Sequence, residues 1–203
     1  MRSNDGAPPP RTESPFACGG VRLRLATAST ADQAALWHIL YYASHLNDVR
    51  GSTPADVRSE PSVQRYVRDW GREGDLAVLA ETPEGDLVGG VWIRLHTAAE
   101  RHLPEFVDVR TPELGIAVLP AHQGHGVGGR LLAFAMETAQ GRYPAVMLSV
   151  RASSPARRLY ERFGFVPLGT IVNRVGSTSW KMLRSLEGGA PPPTPSPERS
   201  TPV

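Results

Sequence analysis

The sequence contains a single cysteine, Cys18, in 203 residues. One thiol excludes an intramolecular disulfide and a metal site built from cysteines. The six histidines show no spacing typical of metal ligands, so we predict no metal. Apolar runs fall short of the roughly 20 residues that span a bilayer, and residues 1–20 lack the apolar stretch of a secretion signal. We therefore expect a cytoplasmic protein that does not bind a membrane.

The sequence also lacks a strong charge of either sign. Twenty-two Lys and Arg residues face 20 Asp and Glu residues, which gives a net charge of +2. The basic residues are scattered and do not form a stripe interleaved with aromatics, so we predict no nucleic-acid partner. A hydrophobic fraction of 40% and a charged fraction of 21% are typical of a soluble globular protein.

Proline marks the ends of the chain, since 10 of its 19 copies lie in residues 1–20 and 188–203. Neither stretch has a periodic apolar face with which to bury surface. We predict two disordered tails around one folded domain at residues 21–187, a length that suits one core.

Apolar spacing within the domain predicts the order β-α-α-β-β-β-α-β-α-β-β, a mixed sheet with helices on it. The strand–helix–strand unit over residues 114–150 should be a parallel crossover. The predicted elements are a strand at 21–26, a helix from Ser29 or Thr30 to Ala43, a helix at 62–70, strands at 76–81, 87–96 and 114–119, a helix at 126–140, a strand at 145–150, a helix capped by Ser153 or Ser154 that ends at Gly164, and strands at 165–168 and 179–183.

A glycine-rich segment, AHQGHGVGGR at residues 121–130, stands between a predicted strand and a predicted helix. Its glycines allow positive φ angles, and its N–H groups with the positive helix end form an anion site suited to a diphosphate. A turn without a ligand is the plain alternative.

Two other phosphate motifs fit this segment poorly. No Gly-Lys-Ser/Thr follows, which excludes a Walker loop. Gly124-x-Gly126-x-x-Gly129 formally matches the dinucleotide pattern, but residues 120–123 separate it from the strand. The next strand also ends at Val150-Arg151, where a ribose-binding acid is required.

Residues 123–128, QGHGVG, match Q/R-x-x-G-x-G/A, the acetyl-CoA pyrophosphate motif of the GNAT acetyltransferase superfamily. Residues 113–120 resemble that family's fourth strand. Residues 151–165 resemble its second signature, except that Ser154 stands where the family often has Asn. The resemblance covers residues 21–183 in element order. It implies an α/β (α+β) GNAT fold, with a mixed, mostly antiparallel sheet of six to seven strands flanked by about four helices.

The resemblance implies acetyl-CoA as cosubstrate. Its diphosphate would bind backbone N–H groups of the turn, with Arg130 as either an added charge or a solvent-facing side chain. Its pantetheine arm would pair with the strand at 116–118, which splays from the strand at 145–150. The implied cofactor-binding residues are Ile116, Ala117, Val118, Gln123, Gly124, His125, Gly126, Val127, Gly128, Gly129, Ser154 and Tyr160.

The resemblance also implies direct transfer to a primary amine in a ternary complex. Tyr160 matches the family's acid, which protonates the leaving thiolate, although a core aromatic is the alternative. Glu113 is the candidate base, with a solvated carboxylate as the alternative. A backbone N–H near Val118 would meet the oxyanion. The reserve bases are Asp108, Glu105, His96 and His125.

The acceptor is an unidentified small molecule or peptide. Its site should lie among the early helices and residues 96–111. Family members frequently dimerise, so a homodimer is a possible assembly. A catalytically silent acyl-CoA-binding module is the alternative function, and a dinucleotide-binding domain is a more remote one. The possible lining residues are Tyr41, Tyr42, His45, Asp48, Trp70 and Trp92, of which the two tryptophans are more often core.

Overall fold

The computed structural model describes residues 20–187. Residues 1–19 and 188–203, where we predicted disordered tails, lie outside the described part.

Seven strands form one sheet in the order β1-β2-β3-β4-β5-β7-β6. Every neighbouring pair is antiparallel except β4 and β5, which run parallel as the predicted crossover requires. The mixed, mostly antiparallel sheet is therefore confirmed. The strands are β1 (Arg22–Leu25), β2 (Leu76–Glu81), β3 (Leu87–Arg94), β4 (Glu113–Val118), β5 (Ala145–Arg151), β6 (Val166–Val172) and β7 (Thr178–Ser185).

Four α-helices accompany the sheet within the described residues. Ser29 caps the first helix, because its hydroxyl accepts from the N–H of Asp32 at 3.2 Å. Short 3-10 turns occupy parts of the connections, including Ala98–Glu100 and Pro120–His122. The helices are α1 (Thr30–Ala43), α2 (Pro61–Gln64), α3 (Val127–Ala139) and α4 (Arg157–Arg162).

Both faces of the sheet are covered by apolar layers. On one face, Leu131 and Leu132 of α3 pack against the sheet together with Phe165. On the other face, α1 contributes Leu36 to a layer that includes Trp92 of β3. The sheet therefore lies between two cores. The loops that follow β4 and β5 lie at the edge of these layers, where a site can form.

The predicted helix at 62–70 is wrong beyond Gln64, since α2 has only four residues. The chain continues in turns, and the guanidinium of Arg94 on β3 binds the carbonyls of Arg65 and Arg68 at 2.9 and 2.8 Å. The Arg94 side chain thus binds two carbonyls that N–H groups of a longer helix would otherwise bind, and α2 does not continue. The apolar positions Val63, Val67 and Trp70 are nevertheless buried, as their spacing predicted.

The predicted cap of α4 also needs correction. The helix begins at Arg157 with Ala156 at the N-cap position, which has no side-chain capping bond. Ser154 instead accepts from the N–H of Ala156 at 3.3 Å, in a local turn that precedes the helix. The predicted end at Gly164 is confirmed, because this residue follows α4 with a φ of +79°.

Candidate functional site

The strands β4 and β5 separate after a single register pair. Glu113 stands opposite Met147, and the N–H of Met147 donates to the carbonyl of Pro112 at 3.0 Å. No further register pair joins these two described strands. Backbone groups alternate sides along a strand. The carbonyl of Pro112 points to β5. The carbonyls of Ile116 and Val118 lie an even number of residues further along, so they point to the same side, into the gap that opens between β4 and β5.

The backbone of Ala117, predicted with these two, points the other way. Its carbonyl lies against Gly89 of β3, so close that a Cβ on Gly89 would stand 2.7 Å from it. The carbonyl of Val118 accepts from the side-chain amide of Gln123 at 2.9 Å. Of the groups in residues 116–118, the N–H and carbonyl of Ile116 and the N–H of Val118 are therefore left facing the gap.

The glycine-rich turn connects this strand to the start of α3. Gly124 has a φ of +80°, and Gly126 has a φ of +77° at the N-cap position. A Cβ at either residue would meet no atom within 4 Å, so the turn needs glycine for its backbone conformation and not for space. Gly126 provides no side-chain cap. The first N–H groups of a 13-residue helix are thus offered to an anion.

The other predicted members of the turn have distinct environments. His125 is exposed, whereas the side chain of Val127 is buried in the core. Gly128 lies against α4, because an added Cβ would stand 3.6 Å from Leu159. Arg130 is half-buried and donates to the carbonyl of Val21 at 2.8 Å. Arg130 therefore joins α3 to the residue that precedes β1.

Tyr160 lies on α4 with its ring buried and edge-on to Phe165, 6.0 Å between centroids. Its hydroxyl has no hydrogen-bond partner among residues 20–187. Burial raises the pKa of Tyr160 to about 12. The phenol is thus protonated at neutral pH. Tyr160 therefore packs as a core aromatic, as the alternative interpretation expected.

Glu113 is buried at the start of β4, which overturns the alternative of a solvated carboxylate. The hydroxyl of Tyr66 donates to its Oε1 at 2.8 Å, and Arg65 reaches its Oε2 at 3.2 Å. His96 Nε2 lies 3.2 Å from the same Oε2. Burial alone raises the pKa of Glu113, but Arg65, His96 and Tyr66 outweigh burial and hold the pKa below its usual value.

Arg65 and Tyr66 are site residues that the sequence did not reveal. The guanidinium of Arg65 lies over the Tyr66 ring at 4.1 Å, and its Nη2 donates to the Tyr66 hydroxyl at 2.6 Å. Burial and the nearby Glu113 raise the pKa of Tyr66 well above its usual value. No local motif marks this pair, because the carboxylate that Tyr66 binds is 47 residues away in the chain.

The two acidic reserve bases also have partners. Asp108 accepts from the N–H of Arg110 at 2.7 Å and from the Thr111 hydroxyl at 2.8 Å. Glu105 lies 3.9 Å from Arg65. Among residues 20–187, no group of three His, Cys, Asp or Glu side chains is arranged to hold a metal ion.

The predicted acceptor residues separate into core and surface. Trp70 and Trp92 are buried, and the Tyr41 hydroxyl donates to the carbonyl of Ser52 at 2.8 Å. Asp48, which follows α1, pairs with Arg151 at the end of β5 at 3.1 Å. His45 Nδ1 lies 3.3 Å from the same carboxylate, so a polar group borders the end of β5.

Residues 73–167 match the acetyltransferase (GNAT) domain family. The chain belongs to the GNAT acetyltransferase family. This confirms the resemblance and the predicted fold, and it decides against the dinucleotide-binding alternative. No helix in the described part of the chain has the length and apolar character needed to cross a membrane.

Two curated relatives are named mycothiol acetyltransferase. The one from Brachybacterium faecium is 32% identical over 148 residues, which cover 70% of this chain and 40% of the relative. The one from Paenarthrobacter aurescens is 33% identical over 156 residues, which cover 75% of this chain and 45% of the relative. The chain therefore spans less than half the length of these relatives.

Among solved structures, yncA from Salmonella typhimurium with its cofactor acetyl-CoA is similar to this chain. The TM-score is 0.56 at 21% identity, and the match covers 84% of this chain and 98% of that one. This similarity supports the fold.

Proposed function

We propose that the chain is an acetyl-CoA-dependent N-acetyltransferase that acts on a primary amine of a small molecule or peptide. The gap between β4 and β5 is the observation that carries the proposal. Backbone groups of Ile116 and Val118 face it, as an extended pantetheine arm would require. The uncapped start of α3 follows directly and suits a diphosphate.

The cosubstrate would be held mainly by backbone groups. Its diphosphate would accept from the N–H groups between Gly124 and Gly129, while its arm would pair with Ile116. Ser154 would lie at the adenosine end or beside the arm. Bound acetyl-CoA supplies the activated thioester, and the structurally similar yncA was solved with acetyl-CoA as its cofactor.

Acyl transfer would proceed by direct attack in a ternary complex. The neutral amine attacks the thioester carbonyl, whose oxygen accepts from the N–H of Val118. The C–N bond forms and the C–S bond breaks. Tyr160 then donates its phenolic proton to the leaving thiolate. Its raised pKa ensures that this proton is present at neutral pH.

The amine must also lose a proton, and we propose that this proton leaves toward the buried cluster that contains Glu113. The carboxylate lies on the same strand as the Ile116 and Val118 groups, and its lowered pKa keeps it ionised at neutral pH. Because the cluster is buried, a water molecule would connect it to the amine.

The acceptor would enter beside α1 and the end of β5, where Asp48 and Arg151 form their ion pair. The names of the two curated relatives make the acceptor of mycothiol acetyltransferases the first compound to test. A homodimer and a cytoplasmic location remain predictions from the sequence.

A calorimetric titration with acetyl-CoA, followed by measurement of free-thiol release, tests the proposal. The acceptor panel contains the mycothiol acetyltransferase acceptor, polyamines, aminoglycosides, amino acids and peptides. We expect acetyl-CoA binding and amine-dependent thiol release, with initial-rate lines that intersect as a ternary complex requires. Absence of acetyl-CoA binding would overturn the proposal.

A catalytically silent acyl-CoA-binding module is the second candidate. It is favoured by the fact that both oxygens of Glu113 already have partners, Tyr66 and Arg65, so that the carboxylate is not free to act as a base. The substitution Tyr160→Phe separates the two. An enzyme loses turnover while acetyl-CoA binding is kept, whereas a silent module shows no amine-dependent turnover before or after the change.

A further inference from the structure

His96 is a buried imidazole with unsatisfied nitrogens. Its side chain is 2% exposed, and neither ring nitrogen has a well-aligned hydrogen-bond partner among the described residues. Nε2 is close to Glu113 Oε2, at 3.2 Å, but is not aligned with it. The ring packs edge-on against Phe106, with 5.9 Å between centroids. Buried polar atoms are nearly always satisfied, so this imidazole requires an explanation.

A small cavity adjoins the imidazole. Its volume is about 10 Å³, which is close to the roughly 10–15 Å³ that one water molecule needs. Polar side chains border it, and such a cavity suits a water with several partners. The lining residues are Arg65, Tyr66, Arg94, Leu95, His96, Glu100 and Glu113.

Glu113 itself is poorly suited to accept a proton. Tyr66 donates to one oxygen, and Arg65 contacts the other. These donors stabilise the ionised carboxylate, so that protonating it would cost two favourable contacts. His96, by contrast, lies in the same cluster with no hydrogen-bond partner at either ring nitrogen among the described residues, and an imidazole in its neutral form has one nitrogen that accepts a proton.

We propose that His96, oriented by Glu113, receives the proton released by the acceptor amine through a water in this cavity. The inference rests on the proposed function and refines the route by which the proton leaves. The ammonium group gives one proton to the water, and the water passes one to Nδ1. The other ring proton is carried by Nε2, which lies 3.2 Å from the Glu113 carboxylate, and the neutral amine can attack. Glu113 is a positioning residue in this scheme.

Charged and titratable groups from every surrounding element face this pair. Arg65 and Tyr66 follow α2, Arg94 ends β3, and Lys181 on β7 donates to the carbonyls of Pro104 and Phe106 at 2.9 and 2.6 Å. Among the described residues, the charged and titratable groups around His96 and Glu113 include Arg65, Tyr66, Arg94, Glu100, Glu105 and Lys181. Of the side-chain types in this cluster, only histidine ordinarily changes charge near neutral pH.

The first test compares pH profiles of kcat/KM for the wild type, His96→Gln and Glu113→Gln, with Glu137→Gln as control. Glu137 is exposed on α3, outside this cluster and outside the predicted acceptor region, so its replacement should leave the profile unchanged. We expect His96→Gln to lower kcat/KM at pH 7 by about 10²–10⁴-fold. Its rate should recover at high pH, where the amine needs no base. A wild-type profile in His96→Gln would overturn the inference and leave the proposed function intact.

The second test does not depend on turnover. Nitrogen NMR at a fixed pH follows the two ring nitrogens of His96 in the wild type and in Glu113→Gln, after acetyl-CoA titration shows that both proteins are folded and bind it. Glu113 lies 3.2 Å from Nε2, so its loss should change which ring nitrogen carries the proton and shift both nitrogen resonances. Unchanged resonances would show that the two residues are not coupled and would overturn the inference. Failure of the proposed function appears separately, as absence of acetyl-CoA binding or of any amine-dependent thiol release in the wild type.

Discussion

The side-chain amide of Gln123 donates to the main-chain carbonyl of Val118 at 2.9 Å. This bond closes the turn between β4 and α3. It also satisfies one of the Val118 main-chain groups and leaves the N–H toward the gap. The first residue of the pyrophosphate motif therefore fixes the strand end to which the thioester would bind.

Replacing Gln123 should weaken acetyl-CoA binding without unfolding the protein. Gln123→Leu removes one neutral hydrogen bond, worth about 1 kcal/mol, which corresponds to a loss of about fivefold in affinity. Calorimetry measures the change. The matched control is Gln140→Leu, at the exposed opposite end of α3. Equal affinities in the two variants would contradict the role of Gln123.

Gly126 and Gly141 form a matched pair at the two ends of α3. Their φ angles are +77° and +76°, and a Cβ added at either would have no atom within 4 Å. Alanine at either position should cost about 1 kcal/mol of stability because of the left-handed conformation. Only Gly126→Ala should weaken acetyl-CoA binding. Urea unfolding and calorimetry on both variants check this, and equal loss of binding would argue against the anion site.

Tyr160→Phe should lower kcat by about 10²–10⁴-fold, the usual contribution of a general acid. The dissociation constant of acetyl-CoA should stay near the wild-type value, because the ring and its packing are kept. Tyr143→Phe is the control, since that hydroxyl binds the carbonyl of Gly74 outside the gap. Stopped-flow thiol release measures both. An unchanged kcat in Tyr160→Phe would exclude the phenol as the acid.

Tyr160 should also make the folded state sensitive to alkali. Its pKa is raised to about 12 in the folded state, against about 10 in an unfolded chain. The unfolded state therefore ionises first, and the stabilisation present below about pH 10 is lost as the pH rises toward about 12. Tyr160→Phe should show a smaller decrease in stability over this window. Urea midpoints at several alkaline pH values test the difference, and parallel curves would contradict it.

Arg65 should contribute far more to stability than a surface arginine. Arg65→Met leaves the buried Glu113 without its nearest cation, and the loss of one partner of a buried pair costs about 3–5 kcal/mol. Arg110→Met is the control, because Arg110 and Glu187 form an exposed pair at 3.4 Å that should contribute less than about 1 kcal/mol. Urea unfolding at pH 7 compares the two. Equal losses would show that the Glu113 cluster is not a buried ion-pair network.

Local patterns predicted the parts of the site that depend on local backbone conformation. The glycines of the turn, the apolar spacing of α3 and the stop at Gly164 each reflect requirements within a few residues of the chain. The order of elements along the chain followed from apolar spacing, and the two signature segments were identified by their resemblance to the GNAT superfamily. These features were therefore predictable from the sequence.

Contacts between distant segments were not predictable in this way. Arg94 binds the carbonyls of Arg68 and Arg65, which lie 26 and 29 residues away in the chain, at the point where α2 ends. Glu113 accepts from the Tyr66 hydroxyl, 47 residues away. From the sequence, His96 and Glu113 are alternative bases, whereas the fold brings them together at 3.2 Å. A buried network of this kind is defined by tertiary packing, which single-sequence periodicity does not contain.

The most direct test of the central claim is amide hydrogen exchange of the protein with and without acetyl-CoA. If the arm lies between β4 and β5 and the diphosphate lies at the start of α3, exchange should slow at Ile116 and Val118 and at the first amides of α3 after Gly126. The amides of α3 near Gln140 should change little. Protection confined to other segments, with these amides unaffected, would contradict the proposed binding site.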